Sequence, residues 1–244
     1  MKCALCLEDR KLCDSHLIPE FFYKPVYEGP HRYYQVPTSP VKKVVPRQKG
    51  IFEKLLCREC EKRLMVLEDY SRRVLYGGVE ISIARARDRV LIDDINYEKF
   101  KLLQMSLLWR AGVSKRPEFS NVTLGPHADN LRQLIYSRDP GEPHRYGCMM
   151  ILSPKLQELL SHMIMLPDMV RVAGHRCVRF VLGGLFWVFF TSSHTSELAS
   201  KNVFLSKDGK LPLILENRWS VTFINEFAKQ LRDSGHLESF EGSP

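Results

Sequence analysis

The chain has 244 residues, 44% of them hydrophobic, 26% charged and 10% aromatic, the proportions of a globular protein with one large or two modest cores. Disorder, collagen and coiled coil are excluded on these figures. Lys and Arg number 36 against 28 Asp and Glu, and six of the eight net positive charges fall within residues 1–90, so a polyanion is a natural partner for the N-terminal third.

Residues 1–6 run into Glu8, Asp9 and Arg10 with no apolar signal-peptide core, which predicts a cytoplasmic protein. The longest apolar run, 181–190, is split by Gly183-Gly184 and is shorter than the roughly 20 residues a bilayer requires, so no membrane partner is expected. Seven cysteines, an odd number, argue for thiols kept reduced or bound to metal over a disulfide framework.

Residues 36–50, with Pro37, Pro40 and Pro46, read as a loop or irregular hairpin. A helix follows over 61–76, with Leu64, Leu67, Val74 and Leu75 on one face and Gly77-Gly78 ending it. Along 81–90, Arg85, Arg87 and Arg89 alternate and would share one face of a strand; Arg72 and Arg73 add to the local charge. The spacing of Phe100, Leu103, Leu107 and Leu108 predicts a helix over 96–112 capped by Asn96, and shorter helices are expected over 128–137 and 154–163.

The period then changes. Residues 169–192, with alternating Arg171, Arg176 and Arg179, predict a hairpin turning at Gly183-Gly184. A second hairpin would join 202–206 to 211–216 through Lys207-Asp208-Gly209. A last helix is expected from Ser220 to Ser234-Gly235, with Phe223, Phe227 and Leu231 on one side. The expected architecture is α+β: a cysteine-rich module over 1–78, then an α+β recognition or partner-docking domain over 79–244 with a helical middle and a mixed α/β-hairpin end.

Cys3-x-x-Cys6 and Cys57-x-x-Cys60 are the sharpest signal. Two such pairs complete a closed tetrahedral Zn²⁺ site with no open position, so the ion would be structural and would staple a small module. Cys3, Cys6, Cys13 and His16 form a rival Cys3His set, which would leave Cys57 and Cys60 without a purpose. Cys148 and Cys177 read as small buried hydrophobes.

Between the pairs lies Leu12-Cys13-Asp14-Ser15-His16-Leu17-Ile18-Pro19. This order, a CxxC knuckle, a strand ending in His, two apolar residues and Pro, then a CxxC opening a helix, resembles the zinc-stapled branch of the HNH endonuclease family over about residues 1–70. The resemblance implies a ββα-metal (treble-clef) unit in which Cys3, Cys6, Cys57 and Cys60 hold the zinc and His16 activates the attacking water. It also implies cleavage of phosphodiester bonds in DNA, as compact proteins of this kind do in bacterial anti-phage defence. Such chemistry needs a base near neutrality and a divalent cation, Mg²⁺ or Mn²⁺, on hard ligands.

The sequence departs from the family pattern at three places. Ser15 stands where an acidic residue or other metal ligand precedes the histidine, Phe52 where the middle Asn is expected, and Glu61 where the final His or Asn follows the second pair. Glu61 is the candidate ligand for the catalytic metal, with Glu53 or Asp14 as helpers; as a bland alternative it favours the helix dipole. His16 likewise has a bland alternative, organising the turn that follows it. Lys42, Lys43, Arg47 and Lys49 lie in the loop that would face the nucleic-acid backbone, and Tyr33 and Tyr34 are candidates for base stacking. Two alternatives share the four cysteines: a zinc-stabilised nucleic-acid-binding subunit without cleavage, and an adaptor whose zinc knuckle, or whose C-terminal part, contacts a protein partner.

Overall fold

The computed structural model describes residues 1–27, 33–36, 45–191 and 195–215. Lys2 and Asp9 bridge antiparallel and close a knuckle around Cys3 and Cys6. β1 (Leu12–His16) comes next, followed by β2 (Tyr33–Val36) and β3 (Val45–Arg47), β4 (Phe52–Cys57) and the 19-residue α1 (Arg58–Tyr76). β1 and β4 form a two-stranded antiparallel sheet of their own, with Ser15 opposite Glu53 and His16 opposite Phe52. α1 buries Cys60, Leu64, Leu67 and Val74, and it stops where Gly77 takes a φ of 91°, a backbone conformation that costs glycine nothing.

The rest of the chain supplies β5 (Ser82–Arg85), β6 (Arg89–Asp93), α2 (Tyr97–Val113), α3 (His127–Ser137), β7 (Cys148–Leu152), α4 (Gln157–Ser161), β8 (Met163–Val172), β9 (His175–Leu182), β10 (Leu185–Phe190), α5 (Ser196–Ala199) and β11 (Leu211–Leu215). These strands and the β2–β3 hairpin make one nine-stranded sheet in the order β3-β2-β8-β9-β10-β7-β11-β6-β5. The molecule is therefore mixed α+β. No helix among the described residues is long and apolar enough to cross a membrane.

The sheet explains the long apolar run. β10 sits at its centre, so Leu185, Trp187 and Phe189 enter the core shared with α1 and α2, while Phe186, Val188 and Phe190 enter a second cluster on the other face with Leu160 and Leu198. A strand covered on both sides loses the apolar–polar alternation of a half-exposed one. α2 is buried from Phe100 to Ala111 on every side, packed on α1 and α3. Asn96 caps it as expected, its side chain accepting from the Lys99 N–H at 2.9 Å.

The boundary expected at residue 78 falls just past the end of α1, but β2 pairs in parallel with β8, and residues from Cys3 to Leu213 share one apolar cluster. Several local expectations change. Arg85, Arg87 and Arg89 do not share one strand, because the chain turns between β5 and β6 at Ala86–Asp88, where the Ala86 N–H donates to the Arg89 carbonyl at 2.9 Å. The 154–163 helix shrinks to α4, and β8 starts six residues before 169. β7 forms where the sequence reading predicts no element. The turn at Gly209 forms (φ 85°), but no strand precedes it; β11 lies between β6 and β7. The helix expected after Ser220 lies outside the described residues.

Candidate metal centre and its surroundings

The knuckle brings Cys3 and Cys6, and the junction of β4 with α1 brings Cys57 and Cys60. Their four Sγ atoms all lie within 4.8 Å of one another, and this is the only such group of possible ligands among the described residues. A tetrahedron with zinc–sulfur bonds of about 2.3 Å has sulfur–sulfur edges of about 3.8 Å; Cys6 Sγ and Cys57 Sγ stand 3.9 Å apart. All seven cysteines are free thiols. The donor set thus suits a metal ion and is consistent with structural zinc, while Cys13 takes no part, which sets aside the rival Cys3His arrangement.

The backbone prepares the site for thiolates. Burial works to raise the Cys3 thiol, but N–H groups of Cys6, Cys57 and Leu5 outweigh it and bring the thiol down to about 7; the Cys57 N–H donates to Cys3 Sγ at 3.3 Å. Burial and three neighbouring thiols push Cys60 far up. A cation among the four sulfurs relieves both the desolvation and the crowding of negative charge.

His16 closes β1 and Glu61 lies in the first turn of α1, but they face different neighbours. Successive residues of a strand project to opposite faces. Ser15 is buried, its Oγ accepting the Leu56 N–H at 3.0 Å, and it acts on Glu61. Burial raises the Glu61 carboxyl, while the Ser15 hydroxyl and the Arg110 guanidinium pull it back. Glu61 Oε1 is buried with no hydrogen-bond partner. The His16 ring packs instead on Phe52, centroids 4.0 Å apart, and on Tyr23 at 6.3 Å. Burial lowers the imidazole pKa, with Glu20 and Glu68 working against it, which favours the neutral ring. Among the described residues no hydrogen bond or ion pair joins His16 to Glu61.

Two residues that the spacing arguments missed hold this region together. The Arg110 guanidinium, buried in α2, donates to the His16 carbonyl at 2.8 Å and pairs with Glu68 of α1 at 2.5 Å. Glu68 lies seven residues after Glu61 and so on the same helix face, a signal that was readable; nothing in the sequence pointed to Arg110. The suggested helpers are otherwise engaged. Glu53 accepts from Ser114 Oγ at 2.6 Å and from the Lys115 N–H, and Asp14 pairs with Lys54 at 2.8 Å.

Of the basic loop, Arg47 is exposed and pairs with Glu118 at 3.8 Å, and Lys49 is exposed. Lys42 and Lys43 lie outside the described residues. Tyr33 is not available for stacking on a base, being 1% exposed against Tyr23 and Tyr27. Trp109, Trp187 and Phe186 are core residues. No family model matches the chain, and no curated protein or solved structure matches it either.

Proposed function

We propose that the chain is a zinc-stapled, HNH-like endonuclease that cleaves phosphodiester bonds in DNA, working in the reducing cytoplasm where its thiols stay free for metal. The observation that carries the reading is the set of parts around the cysteine cluster: the knuckle, β1 ending at His16, its antiparallel partner β4, which follows β2 and β3 in the chain, and α1 opening at the second cysteine pair. That order resembles the treble-clef unit the reading requires and so supports it. The excess of basic residues in the N-terminal third supplies attraction for phosphates.

His16 is the base in this reading. A neutral imidazole takes the proton of a water whose oxygen bonds to phosphorus as the bond from phosphorus to the leaving sugar oxygen breaks. On the other face of β1 from the His16 ring, Glu61 Oε1 is a buried carboxyl oxygen with no hydrogen-bond partner and the Ser15 hydroxyl acts on the same carboxyl, donors that suit a hard divalent cation in kind. Mg²⁺ or Mn²⁺ there would neutralise charge that builds on the leaving oxygen.

A plasmid-cleavage assay with added Mg²⁺ or Mn²⁺ tests the reading on wild type, His16→Ala and Glu61→Gln. Cutting by the wild type that falls by about 10²-fold or more in His16→Ala, with zinc content unchanged, supports it. The packing of His16 on Phe52, away from Glu61, favours a second reading, a nucleic-acid-binding subunit without cleavage; binding without cutting under every metal condition would establish that one instead.

A further inference from the structure

The turn between β8 and β9 is a two-residue one, Ala173 (φ 52°) and Gly174 (φ 81°), with Val172 paired to His175. Two positive φ values in succession are those of a type I′ turn, whose twist matches the strands and fixes their register. That register sets Arg171 directly opposite Arg176. Directly opposed residues of an antiparallel pair share a face, with Cβ atoms about 4.5–5.5 Å apart, and like charges there repel.

Among the described residues, Asp168 and Glu197 do not relieve the pair. Asp168 is held by Arg179, whose Nε donates to Oδ1 at 2.9 Å, and Glu197 is engaged by His175 at 3.1 Å. Arg171 and Arg176 are both exposed. The one side-chain hydrogen bond of Arg171 within the described residues goes to the Gly174 carbonyl at 3.1 Å, and the Arg176 side chain has no ion pair among them. The hairpin therefore sets two exposed arginines directly opposite each other, with no acid bridging them among the described residues.

We propose that Arg171 and Arg176 form a clamp for the phosphodiester backbone of nucleic acid, a contact on the large sheet separate from the zinc-stapled hairpin. Two adjacent guanidinium forks match the oxygens of a phosphate, and each can bind it in bidentate fashion. This inference rests on the nucleic-acid reading given above and extends it to the C-terminal part of the chain, which that reading otherwise leaves without a role.

Fluorescence anisotropy of a labelled DNA duplex, titrated at several salt concentrations with the zinc-loaded full chain, tests it. Two lost phosphate contacts should lower the slope of log affinity against log salt by about 2 and weaken binding about thirtyfold near 0.15 M salt in Arg171→Ala/Arg176→Ala. Melting temperature should hold or rise, because the substitution removes a repulsion. Arg176→Glu, which builds a cross-strand ion pair with Arg171, should melt no lower than wild type and bind more weakly than Arg176→Ala. A double variant with unchanged slope, or one that melts several degrees lower, overturns the clamp. If that variant binds and cuts like the wild type, the clamp fails and the endonuclease reading stands. A wild type that neither binds nor cuts DNA ends both.

Discussion

Replacing Arg110 with Met should unfold the chain more readily than any other single change to the surroundings of His16. The Arg110 side chain is 3% exposed and that of Glu68 24%. The substitution removes the 2.5 Å ion pair, the 2.8 Å hydrogen bond to the His16 carbonyl and a 3.3 Å contact with Ser106 Oγ. Breaking a buried pair from one side costs about 3–5 kcal/mol. Glu68 keeps about a quarter of its surface in water, so the lower end, about 3 kcal/mol, applies. In a chain of this size that corresponds to roughly 6–12 °C in melting temperature. Urea unfolding in excess zinc measures it, and Glu68→Leu closes a double-mutant cycle. Arg110→Met/Glu68→Leu should be less destabilised than the two single losses combined, since no charge is then left unpaired. If Arg110→Met lies within about 1 kcal/mol of wild type, or if the losses simply add, the ion pair does not tie α1 and β1 to α2.

Cys60→Ser should lose the metal: with cobalt in place of zinc, the thiolate-to-metal absorption expected of four sulfurs should fall, and chelation of the wild type should lower its melting temperature to a similar extent. Gly50→Ala should cost about 1–3 kcal/mol, because a Cβ there meets Tyr23 Cε2 at 2.7 Å and His16 Cδ2 at 3.0 Å; a neutral effect in urea unfolding would contradict that packing. Lys101 carries the pH dependence most open to test. Burial brings its ammonium down to about 7, so the unfolded chain binds the extra proton from about pH 7 up to the ordinary lysine range. Over that window stability should gain from rising pH in the wild type relative to Lys101→Met, and below pH 7 the difference should flatten. A difference independent of pH between 7 and 10 would refute it.

The cysteine cluster was legible because both pairs are local, three positions apart, and only their meeting is long-range. The helices were legible for a similar reason: Asn96 caps its own helix, and Leu64, Leu67 and Val74 mark a face without knowledge of what covers it. What escaped depends on distant partners. Residues 148–152 are a short apolar run with no alternation because neighbours cover both faces, and periodicity alone does not separate such a strand from a helix. Glu53 looked available for a metal, yet its partners lie 61 and 62 residues downstream at Ser114 and Lys115. Arg85 and Arg87 were assigned to one strand because a turn at Ala86–Asp88 carries no glycine or proline to announce it.

The strand order also has a bearing on how the chain folds as it is made. β11 stands between β7 and β6, so the β5–β6 hairpin reaches the sheet only through residues 211–215. β2 and β3 must in the same way wait for β8. Early segments that depend on late ones raise contact order and slow the search. During synthesis both hairpins stay without their final neighbours until most of the polypeptide has left the ribosome, and a nascent chain halted before Leu211 would keep the β5–β6 ribbon undocked.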